Sequence, residues 1–384
     1  MNPEALGRVR RRLLDSGEPP RRSAIAALVR QDAGGLPGAG QVLGLVREAE
    51  SEFAGAGPLQ RLLQQPGVTD VLVNAPDSVW IDRGAGLQRT SVRFPDEASV
   101  RGLAQRLAAL AGRRLDDASP YVDAALPDGT RLHAVLPPVA PAGTCLSLRT
   151  FTARAFSVQD LETAGTLPGG SAGLLRAVVR ARAAFLVSGG TGSGKTTLLS
   201  SMLGLVDPRE RLILVEDAAE LRPAHPHVVR LTSRPANVEG AGQVSLRDLV
   251  RQALRMRPDR LVVGEVRGAE VLELLTALNT GHAGSGGTLH ANSVAQPPAR
   301  LEALGALGRL DRHAVRSQAT AALQVALHLD RRPGGRRVLA EIGVFRRDRD
   351  ELRVVPAWRH DRGPVEGWPE LADMLGDHLA WSTP

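Results

Sequence analysis

Eight consecutive residues, Gly189-Gly190-Thr191-Gly192-Ser193-Gly194-Lys195-Thr196, have the types and spacing needed to grip a polyphosphate. The pattern is G-x-x-x-x-G-K-[ST], the P-loop or Walker A motif. Glycines suit such a loop because its backbone N–H groups must turn inward at dihedral angles that a Cβ opposes. An apolar strand precedes the run. The helix that follows, opening on Thr196 and Thr197, adds its N-terminal dipole to an anion site. Lys195 is then expected to reach the β- and γ-phosphates of ATP, and the Thr196 hydroxyl to ligate Mg²⁺. Lys195 is also the only lysine among 48 basic residues, leaving 48 − 1 = 47 arginines.

A phosphate cradle hydrolyses nothing without carboxylates and a positioned water. Two apolar runs end in acids: Leu261-Val262-Val263-Gly264-Glu265, where a Walker B residue is expected, and Leu212-Ile213-Leu214-Val215-Glu216-Asp217, with Glu220 close behind. At the C-terminal edge of a parallel sheet these acids would face the same crevice as the P-loop. Glu216 is taken as the base polarising water and Glu265 as the acid holding Mg²⁺ through water, with the reverse assignment open. The glycine-rich segment from Gly281 to Ser293 adds His282 and His290, which are expected to sense a γ-phosphate. Zinc is a poor alternative, because the chain has one cysteine, Cys145, in a strand-like apolar run.

These residues need a scaffold of alternating strands and helices. Ala184–Ser188, Leu212–Val215, Val228–Leu231 and Leu261–Val263 read as strands of a largely parallel sheet, giving an α/β domain over 169–345. Upstream, Val68–Val73, Val79–Asp82 and a helical period over Ala98–Leu110 precede two runs, Tyr121–Leu126 and Arg131–Leu136, which flank a Pro127-Asp128-Gly129 turn. They predict a smaller α+β domain over 57–150. Residues 1–56 read as a helical module, 151–168 as a linker, and 346–384 as a polar tail whose Trp358, Trp368 and Trp381 act as docking anchors.

A chain of 384 residues with 43% hydrophobic content can bury more than one core, which excludes general disorder. No run reaches the roughly 18 apolar residues of a spanning helix, so a cytoplasmic location is expected. The net charge of +7 suits anionic lipid or nucleic acid. Aromatic residues are only 3% of the chain, which disfavours base-stacking platforms and hence a DNA translocase. A scaffold that binds nucleotide without turnover is the non-enzymatic alternative, and the set of acids and histidines speaks against it.

Together the P-loop, the aspartate box Val215-Glu216-Asp217-Ala218-Ala219-Glu220-Leu221, the run from Arg255 to Arg260 leading into Gly264-Glu265-Val266-Arg267, and the histidine box resemble the type II/IV secretion ATPase superfamily, specifically its TadA/CpaF branch. The resemblance spans about Gly55 to Phe345. It implies a RecA-like P-loop motor domain joined to a smaller N-terminal domain, a hexameric ring, and a polytopic inner-membrane platform protein as partner. It further implies that arginines of the N-terminal domain reach the phosphates, which by motif position are Arg131 and Arg149. The Walker B strand's ending in Gly264-Glu265, without an aspartate, is a feature shared with secretion ATPases. The resulting expectation is a motor that hydrolyses Mg-ATP for pilus assembly or protein secretion, acting peripherally at the inner membrane.

Overall fold

The computed structural model describes Arg12, Ala26–Val29 and residues 55–84, 86–150, 155–236, 240–349 and 351–379. The helical module expected over 1–56 lies almost wholly outside the described residues, as does Trp381. The chain divides into two compact units, Met1–Phe151 and Thr152–Pro384.

The first unit holds α1 (Gln60–Leu63), α2 (Glu97–Leu110) and six strands: β1 (Asp70–Ala75), β2 (Ser78–Asp82), β3 (Leu87–Arg89), β4 (Tyr121–Ala125), β5 (Arg131–Val135) and β6 (Cys145–Arg149). They pair antiparallel in the order β3-β2-β1-β6-β5-β4. Alternation decides which face is covered. Val71, Val73, Val79, Ile81, Leu132, Ala134, Leu146 and Leu148 are buried with the α2 stripe Val100, Leu103, Ala104, Leu107 and Ala108. That stripe recurs every three or four residues, as one face of a helix requires. Asp96 caps α2 by accepting from the Ser99 N–H at 2.8 Å. The β4–β5 turn closes through Leu126 and Thr130, with Gly129 at φ +89°, a left-handed position that favours glycine.

In the second unit the chain runs α3 (Val158–Thr163), α4 (Ser171–Arg180), β7 (Phe185–Gly189), α5 (Lys195–Leu203), β8 (Leu212–Glu216), β9 (Val228–Thr232), α6 (Leu246–Ala253), β10 (Arg260–Val266), α7 (Val271–Asn279) and β11 (Gly286–His290). It continues through α8 (Pro297–Leu307), α9 (Arg312–Ala322), β12 (Val325–Arg331), β13 (Arg337–Asp348), β14 (Glu351–Arg359), β15 (Gly363–Pro364) and α10 (Trp368–Leu375). One sheet of nine strands results, ordered β15-β14-β13-β12-β7-β11-β10-β8-β9. From β12 to β9 every pairing is parallel, and beyond β12 the pairings turn antiparallel.

Strands β7 and β8 are buried at every position because helices cover both faces of the sheet. Successive residues feed opposite layers. Phe185, Val187, Leu212 and Leu214 join the core under α3, α4, α5 and α10, whereas Leu186, Ile213, Val215, Leu261 and Val263 join the core under α6, α7, α8 and α9. At the N-terminal edge of the parallel strands Arg260, 2% exposed, donates through Nε and Nη2 to the two Glu210 carboxylate oxygens, at 3.0 and 3.1 Å.

Two segments depart from the expected layout. The 151–168 stretch, expected as a linker, contains α3, whose Ser157 and Asp160 form a reciprocal capping box and whose Val158 and Leu161 are buried. Six residues are too few to display a helical period. The expected polar tail from 346 instead supplies the end of β13, all of β14 and β15, and α10. Trp358, 3% exposed, sits in the core with Leu371 and Leu375. Antiparallel strands with mixed faces hide their apolar content behind charges.

Candidate functional site

The parallel register carries β7, β8 and β10 to a common C-terminal edge, which is why residues far apart in sequence meet there. At the end of β7 three loop glycines hold positive φ: Gly189 (+152°), Gly192 (+70°) and Gly194 (+96°). A Cβ on Gly189 would lie 2.5 Å from the Leu329 carbonyl oxygen, so packing as well as conformation demands glycine there. Gly190 has neither constraint. Lys195, 8% exposed, folds back so that Nζ donates to the Gly189 and Gly190 carbonyls at 3.0 and 3.1 Å. Burial pulls its pKa down, against the pull of Glu265 and Glu220.

Those two acids define the wall opposite the ammonium. Glu265 lies on β10, where its Oε1 is 2.9 Å from His290 Nε2 at the end of β11. Burial, then the nearby Lys195 charge, pushes the His290 pKa down, so the imidazole is neutral at pH 7 and donates its Nε2–H to Glu265. That same nitrogen approaches Lys195 Nζ to 3.5 Å. Thr288 on β11 donates from Oγ1 to the Gly264 carbonyl at 2.6 Å and ties the two strand ends together.

Glu216 stands apart in character. It is 3% exposed, and Oε1 accepts from the Glu220 and Leu221 N–H groups at 2.9 and 2.8 Å. Oε2 is buried with no partner among the described residues. Burial raises its pKa to about 7, the two amide bonds opposing and the neighbouring Glu220 adding to the rise. Gly264 makes room for it, since a Cβ there would come within 2.8 Å of Glu216 Cγ. Asp217 is ion-paired to Arg267 and accepts from Ser233 Oγ at 2.8 Å, so the aspartate box is anchored to the chain following β10.

The family model described as "Type II/IV secretion system protein" matches residues 52–330. The chain belongs to the type II/IV secretion system protein family. A Mycobacterium tuberculosis (strain H37Rv) protein named for conjugal transfer is 57% identical over 341 residues, covering 87% of this chain and 97% of that one. The conjugal transfer protein TrbB of Rhizobium radiobacter is 30% identical over 287 residues, covering 73% and 85%. Among solved structures, the Yersinia pseudotuberculosis ATPase DotB (TM-score 0.53, 19% identity, covering 76% and 78%) and the pilus retraction motor PilT with bound ADP (TM-score 0.50, 21% identity, covering 76% and 78%) share the fold. This is the RecA-like architecture with a smaller N-terminal domain.

Within this secretion-family framework the expected site residues fall into three groups. Gly189 to Thr197, Glu216, Glu265 and His290 gather at one sheet edge. Arg131 and Arg149 lie in the first unit, directly opposite each other on β5 and β6. Each has an acid nearby: Asp123 at 3.5 Å for Arg131 and Asp70 at 2.8 Å for Arg149. His282 requires correction. It precedes β11, at the N-terminal edge of the sheet, and its Nδ1 bonds the Ala277 carbonyl at 3.0 Å, where it caps α7. Strand β11 separates it from His290 by about 15 Å of extended chain, although the two sit in one glycine-rich segment. Glu220 received no role from the sequence beyond its nearness to Glu216; the turn pinned by the Glu216 carboxylate brings its charge to bear on Lys195.

The hard oxygen donors near Lys195 suit Mg²⁺ better than a soft metal. Thr196 is the second residue of α5 and Glu265 lies near the C-terminal end of β10, while the described residues include no cluster of three His, Cys, Asp or Glu that would cage an ion. Magnesium keeps waters and takes phosphate oxygens, so one hydroxyl and one carboxylate are a fitting protein share. No helix of the described residues is long and apolar enough to cross a membrane.

Proposed function

We propose that the chain hydrolyses Mg-ATP and that the cycle drives a secretion, pilus-assembly or conjugal-transfer machine. The observation that carries this reading is the placement of the Lys195 ammonium on the carbonyls of its own glycine loop, within reach of the Glu265 and Glu220 charges and at the same sheet edge as Glu216, whose Oε2 has no partner among the described residues. Lys195 would move from those carbonyls to the β- and γ-phosphates. Thr196, and Glu265 through water, would hold Mg²⁺, whose charge would offset that building on the phosphoryl oxygens. His290, neutral and bonded to Glu265, would keep that carboxylate oriented. Arg131 and Arg149 would supply guanidinium charge from the N-terminal domain.

For the base that orients the attacking water, Glu216 is the first choice, because its Oε2 is open and its pKa lies near neutrality. A second reading is favoured by one observation: Glu220, not Glu216, acts on the Lys195 charge. On that reading Glu216 braces the turn that presents Glu220. The family membership supports further proposals: a hexameric ring, a location peripheral to the inner membrane on its cytoplasmic side, and a polytopic platform protein as partner.

Phosphate release by the wild type and by Lys195→Ala, Glu216→Gln and Glu220→Gln tests these assignments. Lys195→Ala is expected to lose turnover by at least about 100-fold. The base variant should retain ATP while losing hydrolysis by a comparable factor, and full turnover in Lys195→Ala would end the ATPase reading.

A further inference from the structure

The hairpin joining β12 to β13 carries four arginines within seven residues: Arg331, Arg332, Arg336 and Arg337. Arg331 and Arg337 are register partners, so like charges stand directly opposite each other on neighbouring strands. That arrangement is unfavourable by itself. Strand β12 pairs with the P-loop strand as far as Leu329 opposite Gly189, so the hairpin runs on alongside the phosphate loop. The contact is close. A Cβ on Gly192 would lie 3.5 Å from Arg331 Nη1, one on Gly194 would lie 3.1 Å from Arg337 Cδ, and Arg337 Nε donates to the Gly192 carbonyl at 2.9 Å. The other two arginines turn elsewhere, Arg332 towards Asp330 at 3.9 Å and Arg336 to the Gly165 carbonyl at 3.3 Å. No acid among the described residues pairs with Arg337.

We propose that Arg337, with Arg331 beside it, is a phosphate-binding residue that grips the diphosphate shared by ADP and ATP. The flank decides which phosphates it meets. Strand β7 has β12 on one side, and on the other β11, β10 and β8, whose ends carry His290, Glu265 and Glu216. The arginines therefore border the loop on the side away from the acids, where the terminal phosphoryl group would be attacked. A guanidinium fork suits phosphate oxygens, and an anion beside Arg337 also draws on the neighbouring Arg331 charge. This inference rests on the P-loop reading above and adds a second wall to it.

Equilibrium binding of ADP and of a non-hydrolysable ATP analogue to the full chain, at low and high salt, tests it. Arg337→Ala is expected to weaken both nucleotides by the same factor, about tenfold, with the loss shrinking as salt screens the contact. Arg337→Lys should recover most of the affinity and Arg337→Gln little. The pair separates a charge contact from a mere brace, because glutamine can still reach the Gly192 carbonyl. Recovery by Arg337→Gln equal to that by Arg337→Lys, loss confined to the ATP analogue, or a change below twofold in Arg337→Ala overturns the proposal. Lys195→Ala is the control for the reading beneath it. If that variant binds ADP like wild type, the P-loop assignment itself fails; if it loses ADP while Arg337→Ala does not, only the hairpin's role fails.

Discussion

Glu216 offers a measurement that needs no substrate. Its carboxyl is 3% exposed, and burial lifts its pKa from 4.5 to about 7. The folded chain thus holds this proton more tightly than the unfolded chain does. For an acid shifted in that direction, stability is full below pH 4.5, declines as pH rises through the window between 4.5 and 7, and is flat above it. A shift of about 2.5 units at about 1.4 kcal/mol per unit amounts to roughly 3 kcal/mol. Glu216→Gln keeps an oxygen for the Glu220 and Leu221 amides and removes the titration. The stability difference between wild type and variant should therefore swing by roughly 3 kcal/mol in the variant's favour between pH 4.5 and pH 8. A Trp80→Phe background leaves tryptophans only in the second unit, so denaturant transitions followed by fluorescence report that unit alone. Other titrating groups contribute equally to both chains and cancel. A difference that stays flat across that range refutes the assignment of a buried, proton-binding carboxyl.

Gly264→Ala inserts a Cβ at 2.8 Å from Glu216 Cγ and should destabilise the second unit by about 1–3 kcal/mol, with the pH swing of Glu216 altered; denaturant titration of that variant measures both. Removing Arg260 alone, as in Arg260→Leu, leaves Glu210 with Arg182 at 2.6 Å as its remaining ion pair and should cost about 1–3 kcal/mol. The double variant with Glu210→Leu should cost less than the sum, as a double-mutant cycle reveals. His282→Ala should leave ADP affinity within about twofold, whereas His290→Ala, which frees the Glu265 carboxylate, should lower turnover by about tenfold, readable by calorimetry and phosphate release.

Elements buried on both faces were plain in the sequence. Strands β7, β8 and β10 each contain an apolar run, Phe185–Val187, Leu212–Val215 and Leu261–Val263, followed by Ser188-Gly189, Glu216 or Gly264-Glu265, so strand and edge could be placed together. The glycine-rich turn between β7 and α5 was legible because its glycines are dictated by backbone geometry, with Gly189, Gly192 and Gly194 at positive φ. What escaped had weaker local signals. Strands β13 and β14 mix Arg and Glu with Val and Leu, because one face meets solvent or ion pairs such as Arg346–Glu370 at 2.6 Å. His282 and His290 lie eight residues apart in one glycine-rich stretch, and no local feature marks a strand between them whose two leading residues are glycine. Those glycines exist because a Cβ on Gly286 or Gly287 would come within 2.2 or 2.6 Å of a neighbouring strand's carbonyl oxygen, a constraint invisible without the partner strand. Likewise the role of Glu220 depends on the turn that Glu216 pins.

Several costly polar arrangements meet at the C-terminal edge of the large sheet. The Glu216 Oε2 and the Ser193 hydroxyl are buried without partners among the described residues, and Lys195 bonds its own loop carbonyls. Each alone costs stability, by roughly 1–3 kcal/mol for a buried unsatisfied polar group. Unpartnered buried atoms also occur elsewhere in the unit, at Ser171, Glu273, Gln318, Arg346 and Arg359, whereas Arg260, Glu302 and Asp248 are satisfied by Glu210, by Arg312 with Arg316, and by the Ser245 cap. What distinguishes the sheet edge is that its unpartnered oxygens lie in the turns that hold Lys195 and Glu220. On the proposed function, the bound group would present negative oxygens to Lys195 and leave room for a water on the Glu216 side. The Mg-ATP proposed above would do both, whereas a simple anion would engage the loop alone.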